Sequence, residues 1–136
     1  MNAKMLEKAN QMIRTCKDAA FGVIDENGCP SVSAVSLCNP ENISTLYFTT
    51  TIDSNKAKRL QKNNKASICC YTEANNLTLA GEAEILTDQE TKSKCWQDWF
   101  IHIYPGGVTD PSYCVIQFTA KRAALWIDEE EAEFAL

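Results

Sequence analysis

The sequence predicts one small antiparallel β-barrel of six strands with a few short helices. Three observations carry this. Short apolar, β-favouring runs recur along the chain, and turn chemistry such as Asp25-Glu26-Asn27-Gly28 and Asn39-Pro40-Glu41-Asn42 separates them. Helical periodicity appears in only a few places. The 136 residues make about one domain, 1–136, with no linker, repeat or low-complexity stretch.

The elements follow in order. Met5, Ala9, Met12, Ile13 and Cys16 form one apolar stripe of a helix, uninterrupted by Gly or Pro. Ala19 to Ile24 reads as the first strand, and Asn27-Gly28 tolerates the positive φ angles of a tight hairpin turn. Ser31 to Leu37 and Thr45 to Thr51 read as the second and third strands, which predicts a three-strand meander. Asp53 or Ser54 caps a surface helix running to about Asn63, with Ala57 and Leu60 as its thin apolar face. Ala66 to Thr72 is a fourth strand. Leu77 to Thr87 is a fifth, with Gly81 marking a bulge or bend.

Thr87 and Glu90 fit a capping box, and Trp96, Trp99, Phe100 and Ile103 then fall on one helical face. Tyr104-Pro105-Gly106-Gly107 ends that segment, and Asp110-Pro111-Ser112 turns into a long last strand, Tyr113 to Asp128, bent near Lys121-Arg122. The acidic run from Asp128 to Glu133 reads as a solvated C-terminal tail covering about 128–136.

Composition excludes several classes of function. Thirteen basic and eighteen acidic residues give a net charge of −5. That opposes a nucleic-acid-binding role or attraction to an anionic membrane. No apolar run is long enough for a transmembrane helix. Met1 to Lys17 carries charges throughout, so no signal peptide is expected and the cytoplasm is the expected compartment. Seven cysteines contain no CxxC pair and accompany a single histidine, His102, so neither a zinc site nor a disulfide framework is expected. No catalytic triad is visible, and the catalytic residues are left unassigned.

One cluster stands out. Residues 56–65 hold Lys56, Lys58, Arg59, Lys62 and Lys65 and no acid. Lys56 falls in the first turn of the helix after Ser54, where a cation opposes the helix dipole. An anion between the two would resolve the conflict: backbone N–H groups, a Ser hydroxyl and a Lys amine together suit a phosphate. The competing reading is a surface helix that simply carries its lysines. Thr49-Thr50-Thr51 ends the preceding strand and is either a β edge or a row of hydroxyls beside that phosphate. There is no Walker A or Rossmann glycine motif. Trp126 is a candidate to contact the ring of a flat cofactor.

Several segments in order, Pro30 to Leu37, Leu46 to Thr51, Ser54-Asn55-Lys56 with Leu60 and Asn63-Asn64, Gly81 to Glu84, Tyr104 to Gly107, Asp110-Pro111 and Ala124 to Trp126, resemble the pyridoxamine 5′-phosphate oxidase-like family of FMN-binding split barrels. Within it the chain is most similar to the general-stress-protein branch. The resemblance spans roughly residues 5 to 130. It implies a mainly β, six-stranded antiparallel split β-barrel with flanking short helices. It further implies a homodimer with FMN at the interface. Ser54, Asn55 and Lys56 would hold the FMN phosphate, with Thr49 and Thr50 beside them. Ser33, Ala34, Val35 and Ser36 would run along the flavin ring, and Trp126 would approach it.

Departures from the family pattern limit what the resemblance implies. True pyridoxamine-phosphate oxidases carry Arg at the position of Ser33, Lys at Cys38 and Arg at Asn55, and end in an Arg-rich segment where this chain reads Asp128-Glu129-Glu130-Glu131. Oxidation of vitamin B6 is therefore not expected. FMN affinity should be reduced, at about 1.5–3 kcal/mol per lost charge-assisted contact. The implied function is an FMN-dependent oxidoreductase or flavin-reductase-like protein working on a small-molecule electron donor or acceptor. The alternative is a non-catalytic flavin- or haem-binding or sensing dimer, in which His102 would be the only histidine available as an axial ligand.

Overall fold

The structure, a computed structural model, describes residues 2–136. Asn2 opens it by accepting a hydrogen bond from the Met5 amide (3.1 Å), and helix α1 (Ala3–Arg14) follows. Its stripe buries Met5, Ala9 and Ile13 against the sheet. Strands β1 (Asp18–Ile24) and β2 (Pro30–Ser36) form the expected hairpin. Gly28 takes φ +78° in its turn, while Asp25 Oδ1 accepts from the Asn27 and Cys29 amides (both 2.9 Å). Then come β3 (Thr45–Thr51), α2 (Asn55–Lys62), β4 (Lys65–Tyr71), β5 (Asn76–Leu86), α3 (Gln89–Cys95), two 3-10 turns (Asp98–His102 and Gly107–Thr109), β6 (Tyr113–Ile127) and β7 (Glu130–Ala135).

All ladders are antiparallel, in the order β2-β1-β4-β5-β6-β3, with β7 added on β6. The ends of this path, β2 and β3, meet at one bridge, Leu37 to Phe48. The sheet thus curls into a split barrel without closing its ladder. Inward-facing Phe21, Phe48, Ile68, Leu79, Ile116 and Phe118 fill the interior, and α1 plugs one side. No described helix is long and apolar enough to cross a membrane.

Five expectations need correction. The predicted meander is broken, because β3 ladders with β6 and not β2. The link between them spans residues 37–44, too long for a tight turn, and crosses the barrel end. It is pinned there by Ile43 N–H on Asn10 Oδ1 (2.9 Å) and Arg14 Nε on the Glu41 carbonyl (2.9 Å). Among the described residues the sheet has seven strands, not six.

The acidic tail is a strand. Asp128 and Glu129 take φ 54° and 64°, the two positive values of a primed two-residue hairpin turn. Strand β7 then docks Phe134 into the core, while Lys4, Lys8 and Arg122 pair with its acids and those of the turn. Finally, the cap of α3 is Asp88, not Thr87, through Asp88 Oδ2 and the Thr91 amide (3.0 Å). That helix stops at Cys95, so Trp96, Trp99, Phe100 and Ile103 share no helical face.

Gly81 sits where the sequence predicts a bulge. The β5–β6 register shifts between Ala80 and Gly81, so Ala80 faces Arg122 while Gly81 faces Ala120. The extra residue is Lys121, the position where the last strand is expected to bend.

Candidate functional site

A groove of about 460 Å³ lies at the barrel seam, where β2, β3, the start of α2 and the first 3-10 turn converge. That volume is in the range of roughly 300–1,000 Å³ typical of small-molecule sites. Five of the residues singled out from the sequence line it: Ala34, Val35 and Ser36 from β2, Thr49 from β3 and Lys56 from α2. They come from three consecutive elements that the fold brings to one seam.

The pattern along β2 explains which residues take part. It is an edge strand, paired on one side with β1, and Val35 is its buried member. Ser33 pairs with Phe21 on β1, is exposed, and lies outside the groove lining. Asn55 is likewise exposed and outside it.

Thr50 and Ser54 act behind Lys56. The Ser54 hydroxyl oxygen accepts from the Ala57 amide (3.2 Å), capping α2, and from the Thr50 hydroxyl (3.1 Å). These bonds fix the turn from β3 into α2 and hence the position of Lys56. Trp126 is elsewhere. It is 41% exposed, pairs with Glu131 on β7, and borders a separate hollow with Asn76 and Thr78.

The groove carries two amines, Lys17 and Lys56, and one carboxylate, Asp18. Neither lysine enters an ion pair among the described residues. Asp18 instead accepts from the Ser36 hydroxyl (2.8 Å). By contrast, Arg59 of the same helix binds Glu26 and Ser31, and Lys65 pairs with Glu82. The basic cluster thus divides into structural members and one groove-lining amine, Lys56, while Lys58 and Lys62 stay on the exposed side.

The far wall is not foreseen from the sequence. Gln97, Trp99, Ile103 and Tyr104 belong to it. Helical spacing places Trp99 and Ile103 in the core. Because α3 breaks at Cys95, Phe100 turns inward with Trp96 packed half-buried against it, while Trp99 and Ile103 are 56% and 51% exposed. The signal that could have found this wall is Tyr104-Pro-Gly-Gly, a segment that ends the turn and holds Tyr104 against Thr51, with hydroxyls 3.3 Å apart. Burial raises the Tyr104 pKa, so its phenol stays neutral. His102 is exposed and does not line the groove.

Asp110 anchors the loop carrying Tyr104. Its carboxylate accepts from Ser112 N–H (2.9 Å), Ser112 Oγ (2.7 Å) and Gly106 N–H (3.0 Å). These bonds, the Ser112 backbone first, lower its pKa. A carboxylate with a depressed folded pKa contributes stability above the unfolded value and loses it as pH falls through the folded one. The Tm difference between wild type and Asp110→Asn should therefore be largest at neutral pH and shrink in strong acid. A constant difference across that range would remove the charged carboxylate from this role.

Comparisons with known proteins agree with this architecture. The family model described as "Pyridoxamine 5'-phosphate oxidase like" matches residues 4–136. A Clostridium acetobutylicum protein related to general stress protein 26 of B. subtilis, described as of the pyridoxinephosphate oxidase family, is 27% identical. It superimposes with a TM-score of 0.85 over 100% of this chain and 97% of its own. General stress protein 26 from Bacillus anthracis str. Sterne is 19% identical, with a TM-score of 0.82 over 97% of this chain and 98% of its own. No curated protein gives a significant match.

Proposed function

We propose a flavin-binding role from one premise: the chain belongs to the pyridoxamine 5′-phosphate oxidase-like family. On this reading the seam groove takes FMN. The observation that carries it is the gathering of Ala34, Val35, Ser36, Thr49 and Lys56 in one concavity.

The donor set suits the cofactor. Lys56, unpaired by any described carboxylate, lies beside the N-terminus of α2, whose first amides lack intrahelical partners. Together they favour a phosphate dianion. Thr49 lines the same groove and would offer a further hydroxyl to it. The β2 edge supplies backbone donors and acceptors suited to a planar heteroaromatic rim. Trp99 and Ile103 form an apolar wall that would exclude water from one side of such a ring.

When bound, FMN supplies the hydride and single-electron chemistry, so a protein triad is unnecessary. The chain's own work is to bind, orient and shield. The reaction class is oxidoreduction with a small-molecule donor or acceptor. A true pyridoxamine-phosphate oxidase is disfavoured by Ser33, Cys38 and Asn55 in place of basic residues and by the acidic β7. Haem is disfavoured because His102 lies outside the groove. Trp126 can serve the flavin only from a second copy of the chain, which is the case for a homodimer.

Lys56→Ala should weaken FMN binding about 10- to 100-fold, the loss of one charge-assisted contact. Titration followed by flavin fluorescence reads this. Riboflavin, which lacks the phosphate, should bind wild type and variant equally. Unchanged FMN affinity would overturn the phosphate assignment, and a folded wild type that takes up no flavin would overturn the reading itself.

A further inference from the structure

Two thiols stand on the rim of the same groove. Cys38 follows β2 at the start of the crossover, and Cys95 ends α3. Both line the seam groove and the two hollows adjoining it. Cys38 is half-buried and Cys95 is only 5% exposed, packed beside Trp96 and Tyr113. Cys38 packs against the cluster that contains Cys95, and its thiol reaches the neighbouring Lys94 carbonyl at 4.0 Å. Interaction with the Cys95 thiol, partly opposed by burial, lowers the Cys38 pKa. The same thiol–thiol interaction, then burial, then repulsion from Cys38 raise the Cys95 pKa. The Asn39 side-chain amide also points at the Cys38 sulfur, at 3.9 Å. The arrangement is an accessible sulfur on the groove rim with a shielded partner thiol in the cluster it packs against. That division of labour suits an attacking and a resolving cysteine.

We propose that Cys38 and Cys95 form a reversible dithiol–disulfide couple at the groove rim, with Cys38 attacking a low-molecular-weight disulfide and Cys95 resolving the adduct. The Cys38 thiolate attacks one sulfur of the small disulfide, whose S–S bond breaks. The displaced thiolate takes a proton from water. Cys95 gives its proton to water and attacks Cys38 Sγ. The mixed disulfide breaks, and the second small thiol leaves. Two electrons pass from the protein dithiol to the small disulfide, which ends as two thiols.

The other cysteines lack this combination. Cys16 and Cys70 perturb each other in the same sense, but Cys70 is 1% exposed in the main core and borders none of these hollows. Cys114 is buried and its pKa is pushed up to about 11. Cys29 is exposed in the first hairpin, Cys69 is half-buried on β4, and neither borders these hollows.

The test uses the full chain without added flavin, incubated with limiting oxidised glutathione and read by intact mass and peptide mapping. The wild type should lose two hydrogens and yield one linked peptide joining Cys38 to Cys95. Cys95→Ser should instead retain one glutathionyl group on Cys38. Cys38→Ser should show neither the linkage nor an adduct at Cys95. Adducts confined to exposed Cys29, or a Cys16–Cys70 linkage in place of Cys38–Cys95, would overturn the proposal. Should Cys95→Ser not fold, the wild-type map decides by itself. The chemistry needs no flavin, so its failure leaves the Lys56→Ala titration untouched, and the converse holds.

Discussion

Gly81→Ala is expected to destabilise the barrel by about 3 kcal/mol or more, at or above the upper end of ordinary overpacking. A Cβ added at Gly81 would lie 2.0 Å from the Thr119 carbonyl oxygen, 2.9 Å from the Thr119 carbonyl carbon and 3.0 Å from Ala120 Cα. All three are backbone atoms, so no rotamer change relieves the clash. The strands must part, and they part in the longest ladder of the sheet, β5 on β6, at its bulge. For a chain of this length the loss corresponds to a Tm about 10 °C lower. Gly22→Ala is the control, because its added Cβ meets nothing closer than 3.7 Å. A Tm for Gly81→Ala equal to that of Gly22→Ala would show that β6 can yield at the bulge without cost.

That bulge is legible in the sequence because a glycine inside a β-favouring run weakens the strand and packs no side chain. Such a residue marks a bulge or a close backbone approach, and at Gly81 the structure shows both. The helix stripe of α1 is legible because its period and its burial coincide. The errors share a cause as well. Sequence neighbours usually pair, which points β3 toward β2, but nothing local reveals that residues 37–44 cross the barrel. The pins of that crossover, Asn10 and Arg14, sit on α1, far away in sequence. Strand β7 is hidden by its charge. Its turn is Asp128-Glu129 rather than Asn-Gly, and its acids look solvated until Lys4, Lys8 and Arg122 are seen beside them.

The candidate site divides in the same way. Lys56 is legible because a cation in the first turn of a helix is a local electrostatic oddity. Thr49 is half legible, as one of a run of hydroxyls at a strand end, while the β2 contributors come from family resemblance, since nothing in their own residues sets them apart from ordinary strand. The wall of Gln97, Trp99, Ile103 and Tyr104 is missed because spacing suggests one helix. A helix would need residues 96–97 to continue α3, yet both are extended, with ψ of 137° and 142°. That break turns two large apolar side chains outward, onto the groove.

Phe48→Ala should cost about 3–5 kcal/mol, the range for emptying a large aromatic site in a core. The side chain is fully buried, and its ring packs edge-on against Phe21 at 4.7 Å. Its position gives the loss a second consequence. Phe48 belongs to the single bridge between β2 and β3, where backbone pairing is at its weakest. Side-chain packing must hold the seam there. Groove residues flank it on both strands: Thr49 follows Phe48, and Val35 and Ser36 precede Leu37. Phe118 offers the comparison. It is equally buried but lies inside continuous ladders, opposite Leu46 on one side and Ala83 on the other. Phe118→Ala should lose similar stability, because the transfer and cavity terms are alike. Only Phe48→Ala should also loosen the groove, lowering FMN affinity in protein that is still folded, below its reduced Tm. Equal affinities in the two variants would mean that the seam is held by its backbone bonds, such as Cys38 N–H to the Tyr47 carbonyl at 2.7 Å, and not by the aromatic pair beneath them.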